Sequence, residues 1–269
     1  MIHIPSIPLK NGVELPCLGL GVYQCEEQTE QAVLWALEVG YRHIDTAALY
    51  GNERQVGAAV RASGLRRDEI FITTKLWDSE QKTHKQYDAF LQSLDRLGLD
   101  YIDLYLIHWP LPGLALESWR VLEKCYQEGL VRAIGVSNFH QHHLEAILPQ
   151  AEIKPMVDQF ECHPYHSQKL LLAFCKKEDI VCQAWSPLLR GGLMDDLLLT
   201  ELARKHGKSV AQIVLRWHIQ NHVVPIPKSV HKERIYENAD IFDFSLDEAE
   251  MAAIDGLNRN QARLDPDNR

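Results

Sequence analysis

Gly40-Tyr41-Arg42-His43-Ile44-Asp45-Thr46-Ala47-Ala48-Leu49-Tyr50-Gly51-Asn52-Glu53 puts a carboxylate at the end of a short apolar run and a tyrosine five residues later in a turn-prone loop. Two later runs end the same way. Lys75 closes Ile70-Phe71-Ile72-Thr73-Thr74, and His108 closes Tyr101-Ile102-Asp103-Leu104-Tyr105-Leu106-Ile107. Working outward, short apolar β-branched runs recur near 18–21, 42–45, 70–75, 101–107, 131–136, 156–160, 180–185 and 223–226. Between them lie segments of helical spacing, such as Ala32-Val33-Ala36-Leu37, Phe90-Leu91-Leu94-Leu97 and Leu170-Leu171-Phe174. Strands this continuously apolar are covered on both faces, which indicates a parallel sheet flanked by helices. Eight strand–helix units suit an α/β fold of the (β/α)8 TIM-barrel type.

Two features sit outside the repeat. Asn11-Gly12, between the apolar positions of 2–9 and those of 13–15, predicts an N-terminal β-hairpin. The helical pattern at 197–206, ahead of Val210-Ile213-Leu215-Trp217, reads as an extra helix. No Pro/Gly/Ser-rich linker divides the chain, so residues 1–269 are expected to form one barrel domain. A doubly wound dinucleotide-binding sheet fits less well, because Gly19-Leu20-Gly21-Val22-Tyr23-Gln24 lacks the third glycine of its fingerprint.

Composition narrows the partners. Apolar residues are 46% and charged residues 24% of the chain, an ordinary globular balance. A formal charge of −9 argues against nucleic acid and anionic membrane surfaces. No apolar run is long enough to span a bilayer, and Met1-Ile2-His3-Ile4-Pro5 lacks the features of a signal peptide. The six cysteines form no CxxC pair and read as free thiols in a reducing compartment, so a cytoplasmic protein is expected. A monomer is also expected.

In a parallel barrel, catalytic groups collect at the C-terminal ends of the strands. Asp45, Lys75 and His108 fall at three such ends, and neighbouring strands lie about 4.8 Å apart, so the side chains can converge. Tyr50 can fold over the same mouth. Tyrosine alone, with a pKa of about 10, is a reluctant acid at neutral pH. A Lys75 ammonium beside it is expected to lower that value, with Asp45 holding the lysine and His108 orienting a substrate oxygen. Such a set gives general-acid assistance to a carbonyl oxygen that gains negative charge, as in hydride transfer.

The last strand, Val223-Val224-Pro225-Ile226-Pro227, runs into Lys228-Ser229 and then a helix carrying Arg234 to Asn238. Two cations, a hydroxyl and free N–H groups make an anion cradle, placed where barrels often hold phosphate. Two cations favour the 2′-phosphate of NADP(H) over NAD(H). After strand five, Ser137 and Asn138 offer a hydroxyl and an amide. Gln159 ends the sixth strand, and together these groups suit a carboxamide. Trp185 offers a flat face for stacking a ring.

At this point the chain resembles the aldo-keto reductases. The segments GYRHIDTAALYGNERQVG (40–57), VRAIGVSNF (131–139) and IPKSVHKERIYEN (226–238) look like that family's three signatures, in order. The resemblance implies a barrel that binds NADPH in extended form and reduces aldehydes or ketones. It implies Tyr50 as proton donor, tuned by Lys75 and Asp45, with His108 orienting the carbonyl. It places Ser137, Asn138 and Gln159 on the carboxamide, Trp185 on the nicotinamide, and Lys228, Ser229 and Arg234 on the 2′-phosphate. Glu237 and Asn238 would lie by the adenine, Gly21 and Val22 close to the cofactor, and Ser186 to Leu188 along the pyrophosphate.

Short segments at 108–116 and after Asn258 are similar to the microbial branch, which includes 2,5-diketo-gluconate and glyoxal or methylglyoxal reductases. Small aldehydes, α-dicarbonyls or keto sugars are the implied substrates. Tyr23, Trp77 and Trp109 are expected as pocket walls beside His108. A non-catalytic, NADPH-binding regulatory subunit is the alternative. Asp158 stands where relatives often carry Asn. His140, His142, His143, His163 and His166 follow strand ends but show no metal-binding spacing with carboxylates, so no metal is expected.

Overall fold

The computed structural model describes residues 2–268. A hairpin of β1 (Ser6–Pro8) and β2 (Glu14–Pro16) precedes eight strands. These are β3 (Gly19–Gly21), β4 (His43–Asp45), β5 (Phe71–Leu76), β6 (Ile102–Ile107), β7 (Val131–Ser137), β8 (Val157–Glu161), β9 (Val181–Trp185) and β10 (Val223–Pro225). Each pairs in parallel with the next in chain order. A bridge between Gly21 and Lys228 closes the seam, where the Gly21 N–H donates to Pro227 O at 3.1 Å. A Cβ on Gly21 would lie 2.9 Å from Ile226 O, so this close approach needs glycine. The architecture is a (β/α)8 barrel, as the eight apolar runs indicated.

The helices are α1 (Thr29–Val39), α2 (Glu53–Ala62), α3 (Asp78–Lys82), α4 (Gln86–Leu97), α5 (Ala115–Gln127), α6 (Gln141–Ile147), α7 (Lys169–Lys177), α8 (Leu197–His206), α9 (Val210–Gln220), α10 (Lys232–Ala239) and α11 (Glu248–Asp255). The extra helix expected at 197–206 is α8. Its ends are written locally. Asp196 accepts the Leu199 N–H at 3.1 Å, and Gly207 leaves the helix at φ +62°. Then α9 starts with a reciprocal Ser209–Gln212 cap, so the chain turns and resumes the barrel plan.

The strands build two cores because successive side chains point to opposite faces. Outward residues such as Ile72, Tyr105, Ile107 and Ile134 pack against the helices. Inward residues Phe71, Leu104, Leu106, Val157 and Val224 fill the barrel and meet Leu9 and Leu15 of the hairpin, which plugs its lower end. The Asn11-Gly12 turn is a three-residue loop. Leu9 N and Val13 O bond at 2.8 Å across it, and Gly12 takes φ +81°. The same alternation aims Lys75 inward with Phe71 and Thr73, and His108 inward above Leu104 and Leu106. The polar groups therefore meet at the mouth opposite the plug.

Candidate active site

Asp45 and Lys75 lie at or next to the ends of adjacent strands and meet inside the barrel. Lys75 Nζ donates to Asp45 Oδ1 at 2.5 Å and to Thr46 O at 2.9 Å, and both side chains are buried. Gln159 Nε2 donates to the other Asp45 oxygen at 2.7 Å. Burial pushes the Asp45 carboxyl up and the Lys75 ammonium down, and each opposes the shift of the other. Both carboxylate oxygens and the ammonium are hydrogen-bonded, which offsets part of the cost of burying the pair.

Tyr50 closes the front of this pair. It ends a short 3-10 turn, Ala48–Tyr50, with Lys75 Nζ 5.2 Å from its ring centroid. The His108 ring stands edge-on to it at 5.9 Å, and Tyr23 lies against it at 4.8 Å. The loop is tied from below. Thr46 Oγ1 donates to Asn52 Oδ1 at 2.7 Å, while Asn52 Nδ2 donates to Val22 O at 2.9 Å and Thr29 Oγ1 at 3.2 Å. Asn52 was not among the expected site residues. Its signal is a polar side chain directly after Gly51, whose positive φ sets the turn.

The expected lowering of the Tyr50 pKa is overturned. Burial, then the Asp45 charge and Tyr23, raise it well above its ordinary value. Asp45 meets the Lys75 charge at contact distance and offsets part of its effect on the phenol. Tyr50 consequently stays protonated at neutral pH, in the form that can donate.

Tyr50 and Asp45 line a cleft of about 900 Å³. Trp77 and Trp109 wall it around His108, with ring centroids 5.1 and 6.3 Å from the imidazole, and Tyr23 adds a third aromatic wall. Ser137, Asn138 and Gln159 form its floor, and Trp185 lines it. The Trp185 indole N–H donates to Asn138 Oδ1 at 2.7 Å, and Asn138 Nδ2 reaches His108 O at 2.9 Å. Asn138 takes φ +63° to do so, a conformation that Asn tolerates better than most residues. The Ser137 hydroxyl donates to Gln159 O at 2.8 Å. Both Gln159 N–H groups are engaged, the second by Gln183 Oε1 at 2.9 Å, so Gln159 faces a ligand through its oxygen.

Gly21, Ser186 and Leu188 also line the cleft, as do Lys228, Ser229, Arg234, Glu237 and Asn238. Among the described residues, neither Lys228 nor Arg234 has an acidic partner within 4.0 Å, although the chain carries nine more acidic than basic groups. Val22, next to Gly21, is fully buried, and its N–H bonds Asp45 O at 3.0 Å, so it braces the carboxylate strand. The sequence reading also missed Gln24, Leu49, Arg190, Met194, Arg263 and Leu264 as cleft residues. Gln183 was missed too. A glutamine inside the apolar run Val181–Trp185, in register with Gln159, was the available signal.

The Aldo/keto reductase family profile covers residues 18–259. A glyoxal reductase of Bacillus subtilis is 52% identical over 95% of this chain and 94% of its own. Methylglyoxal reductase DkgA of Escherichia coli is 45% identical over 99% and 98%. The chain belongs to the aldo/keto reductase family. An aldo-keto reductase of Bombyx mori solved in complex with NADP superposes with a TM-score of 0.92, at 40% identity over 98% of this chain and 96% of that one. The reductase is therefore an oxidoreductase on a barrel that the family shares.

Within the reductase, Asp158 carries a cost that its neighbours do not relieve. It points outward between Val136 and Cys182 toward α7, is fully buried, and neither oxygen has a well-formed hydrogen bond among the described residues. Burial, then the Cys175 side chain, pushes its pKa far up, and the Phe139 N–H offsets only part of this. A carboxyl with a raised folded-state pKa loses stability as pH climbs above its unfolded value of about 3.9. Asp158→Asn should therefore raise stability at neutral pH by about 1–3 kcal/mol. Thermal melting checks this: the gain should vanish below pH 4, and a lower Tm at neutral pH would refute it.

Proposed function

We propose that the chain reduces aldehydes and ketones with NADPH, acting on small aldehydes, α-dicarbonyls or keto sugars, and that Tyr50 is the general acid. The observation that carries this reading is one cleft lined by Tyr50, beside a buried Lys75–Asp45 pair, and by Lys228 and Arg234, which have no acidic partner within 4.0 Å among the described residues. The groups present fit the cofactor. Lys228, Ser229 and Arg234 would hold the 2′-phosphate, with Glu237 and Asn238 beside the adenine. Gly21, Ser186 and Leu188 flank the path between, and Ser137, Asn138 and Gln159 would fix the carboxamide, with Trp185 against its ring.

Bound there, NADPH supplies the hydride. His108 holds the carbonyl oxygen, and Tyr50 delivers a proton to it as charge develops. Lys75 and Asp45 hold the phenol in place and compensate it as it loses that proton. The aromatic walls Tyr23, Trp77 and Trp109 exclude water from the reacting carbon. The substrate class is supported by the glyoxal- and methylglyoxal-reducing relatives. One chain supplies every group, which suits a monomer, and six free, buried cysteines suit the cytoplasm.

Arg234→Ala tests the cofactor assignment. A lost charge-assisted contact of about 1.5–3 kcal/mol should raise KM for NADPH roughly 10- to 100-fold. KM for NADH, which lacks the 2′-phosphate, should barely move. Equal losses with both cofactors would sink the assignment of the cradle.

A further inference from the structure

Three histidines at the start of α6 gather around a carboxylate from the far end of the sequence. His140 Nδ1 lies 3.1 Å from Asp267 Oδ2, and His142 Nε2 and His143 Nε2 lie 3.0 and 3.3 Å from Oδ1. One candidate donor atom from each of the four side chains falls within 4.8 Å of the others. We propose that this cluster binds a divalent late-transition ion of the zinc class and thereby fastens residues 263–268 to the mouth of the barrel.

The donor set decides the class of ion. Imidazole nitrogens with one carboxylate suit zinc, nickel or copper, whereas magnesium and calcium require oxygen ligands. Zinc–nitrogen bonds of about 2.0–2.1 Å put tetrahedral ligands about 3.4 Å apart, so the widest pair must close by roughly 1.4 Å, within reach of side-chain rotation. The site is open to solvent, since the His142 side chain is 60% and the Asp267 side chain 45% exposed. The helix N-terminus repels a cation weakly, and the Asp267 charge opposes that repulsion.

The four groups are not equivalent. His143 Nδ1 accepts the His140 backbone N–H at 3.0 Å, which makes its Nε2 the protonated nitrogen. His143 therefore coordinates only by surrendering that bond. His140 Nδ1, His142 Nε2 and Asp267 form the core of the site, with His143 or water in the fourth position.

The cluster reaches the cleft through the chain. Glu161 Oε2 accepts the N–H groups of Arg263 at 2.8 Å and Leu264 at 3.4 Å, and both of these residues line the cleft. Asp267 follows in a short turn, Pro266–Asn268. An ion held at Asp267 and α6 therefore fixes the far end of the segment that Glu161 fixes at its near end. The metal site itself stands independently of the chemistry proposed for the cleft.

The test uses the full chain without any affinity tag, stripped of metal by a chelator. Zn²⁺ binding is measured by calorimetry, Co²⁺ binding by visible absorbance, and the mobility of 263–268 by hydrogen exchange. One ion per chain, slower exchange in that segment with Zn²⁺, and intense tetrahedral Co²⁺ bands are expected. His142→Ala and Asp267→Asn should each weaken binding by at least about tenfold. His222→Ala, at an exposed histidine elsewhere, should leave it unchanged. Three results would overturn the proposal: no binding at millimolar metal, binding untouched by Asp267→Asn, or exchange in 263–268 that ignores the ion.

Discussion

Replacing Tyr50 with Phe should lower kcat for carbonyl reduction by about 10²–10⁴-fold, the range for loss of a positioned general acid. NADPH affinity should stay within a few-fold, because the substitution leaves Lys228, Ser229 and Arg234, the groups proposed to hold the 2′-phosphate, untouched. The substituted phenyl ring would keep the contacts with Tyr23 and His108, so the fold should survive. The pH dependence of the unmodified protein carries the same information. A raised Tyr50 pKa means that the acid is fully loaded through neutral pH, and reduction should decline only as the medium becomes strongly alkaline. A variant that turned over at more than a tenth of the parent rate would assign the proton to another group.

Lys75→Met should damage stability as well as catalysis. The substitution leaves the Asp45 carboxylate buried with Gln159 as its remaining side-chain partner, and removing one member of a buried pair costs about 3–5 kcal/mol. For a chain of this size that lowers Tm by roughly 6–20 °C. Removing both charges, in Asp45→Asn with Lys75→Met, should recover much of the stability, since the stranded charge is gone, yet leave the enzyme nearly inactive. Melting curves and kcat for the single and double variants separate the two effects. If the double variant regained activity along with stability, the pair would be structural and have no part in the chemistry.

Much of this site was legible in the sequence because strand geometry is periodic. A side chain two residues beyond an inward Thr73 or Leu106 also points inward, so Lys75 and His108 could be placed at the mouth from their positions alone. The cationic part of the cleft was legible for a similar reason: Lys228 and Ser229 follow the last strand by a few residues, and Arg234 is on α10. What remained hidden depends on contacts between distant segments. Nothing local marks Arg263 and Leu264 as cleft residues; Glu161, about a hundred positions earlier, draws them there. Asp267 meets His140 from a separation of 127 residues, which is why the histidines alone gave no metal-binding pattern.

Electrostatics was the less legible part. Placing Lys beside Tyr implies a lowered phenol pKa, but the sign depends on which group the ammonium touches. Lys75 contacts Asp45 at 2.5 Å and lies 5.2 Å from the Tyr50 ring centroid, so burial and the carboxylate decide the direction. Asp158 shows the same principle. Its neighbour Gln159 faces the barrel interior and is hydrogen-bonded, while Asp158 faces the helix layer with no such partner among the described residues.

The most direct measurement follows the hydride. The carbonyl that the protein consumes fastest, chosen from methylglyoxal, a substituted benzaldehyde and a diketo sugar acid, is reduced with NADPH carrying deuterium at the transferable nicotinamide position. Mass spectrometry of the alcohol should show one deuterium, on the former carbonyl carbon, formed at the rate of cofactor oxidation. Demonstrated NADPH binding with no oxidation by any of the three carbonyls, or an alcohol free of deuterium, would contradict reduction at this cleft.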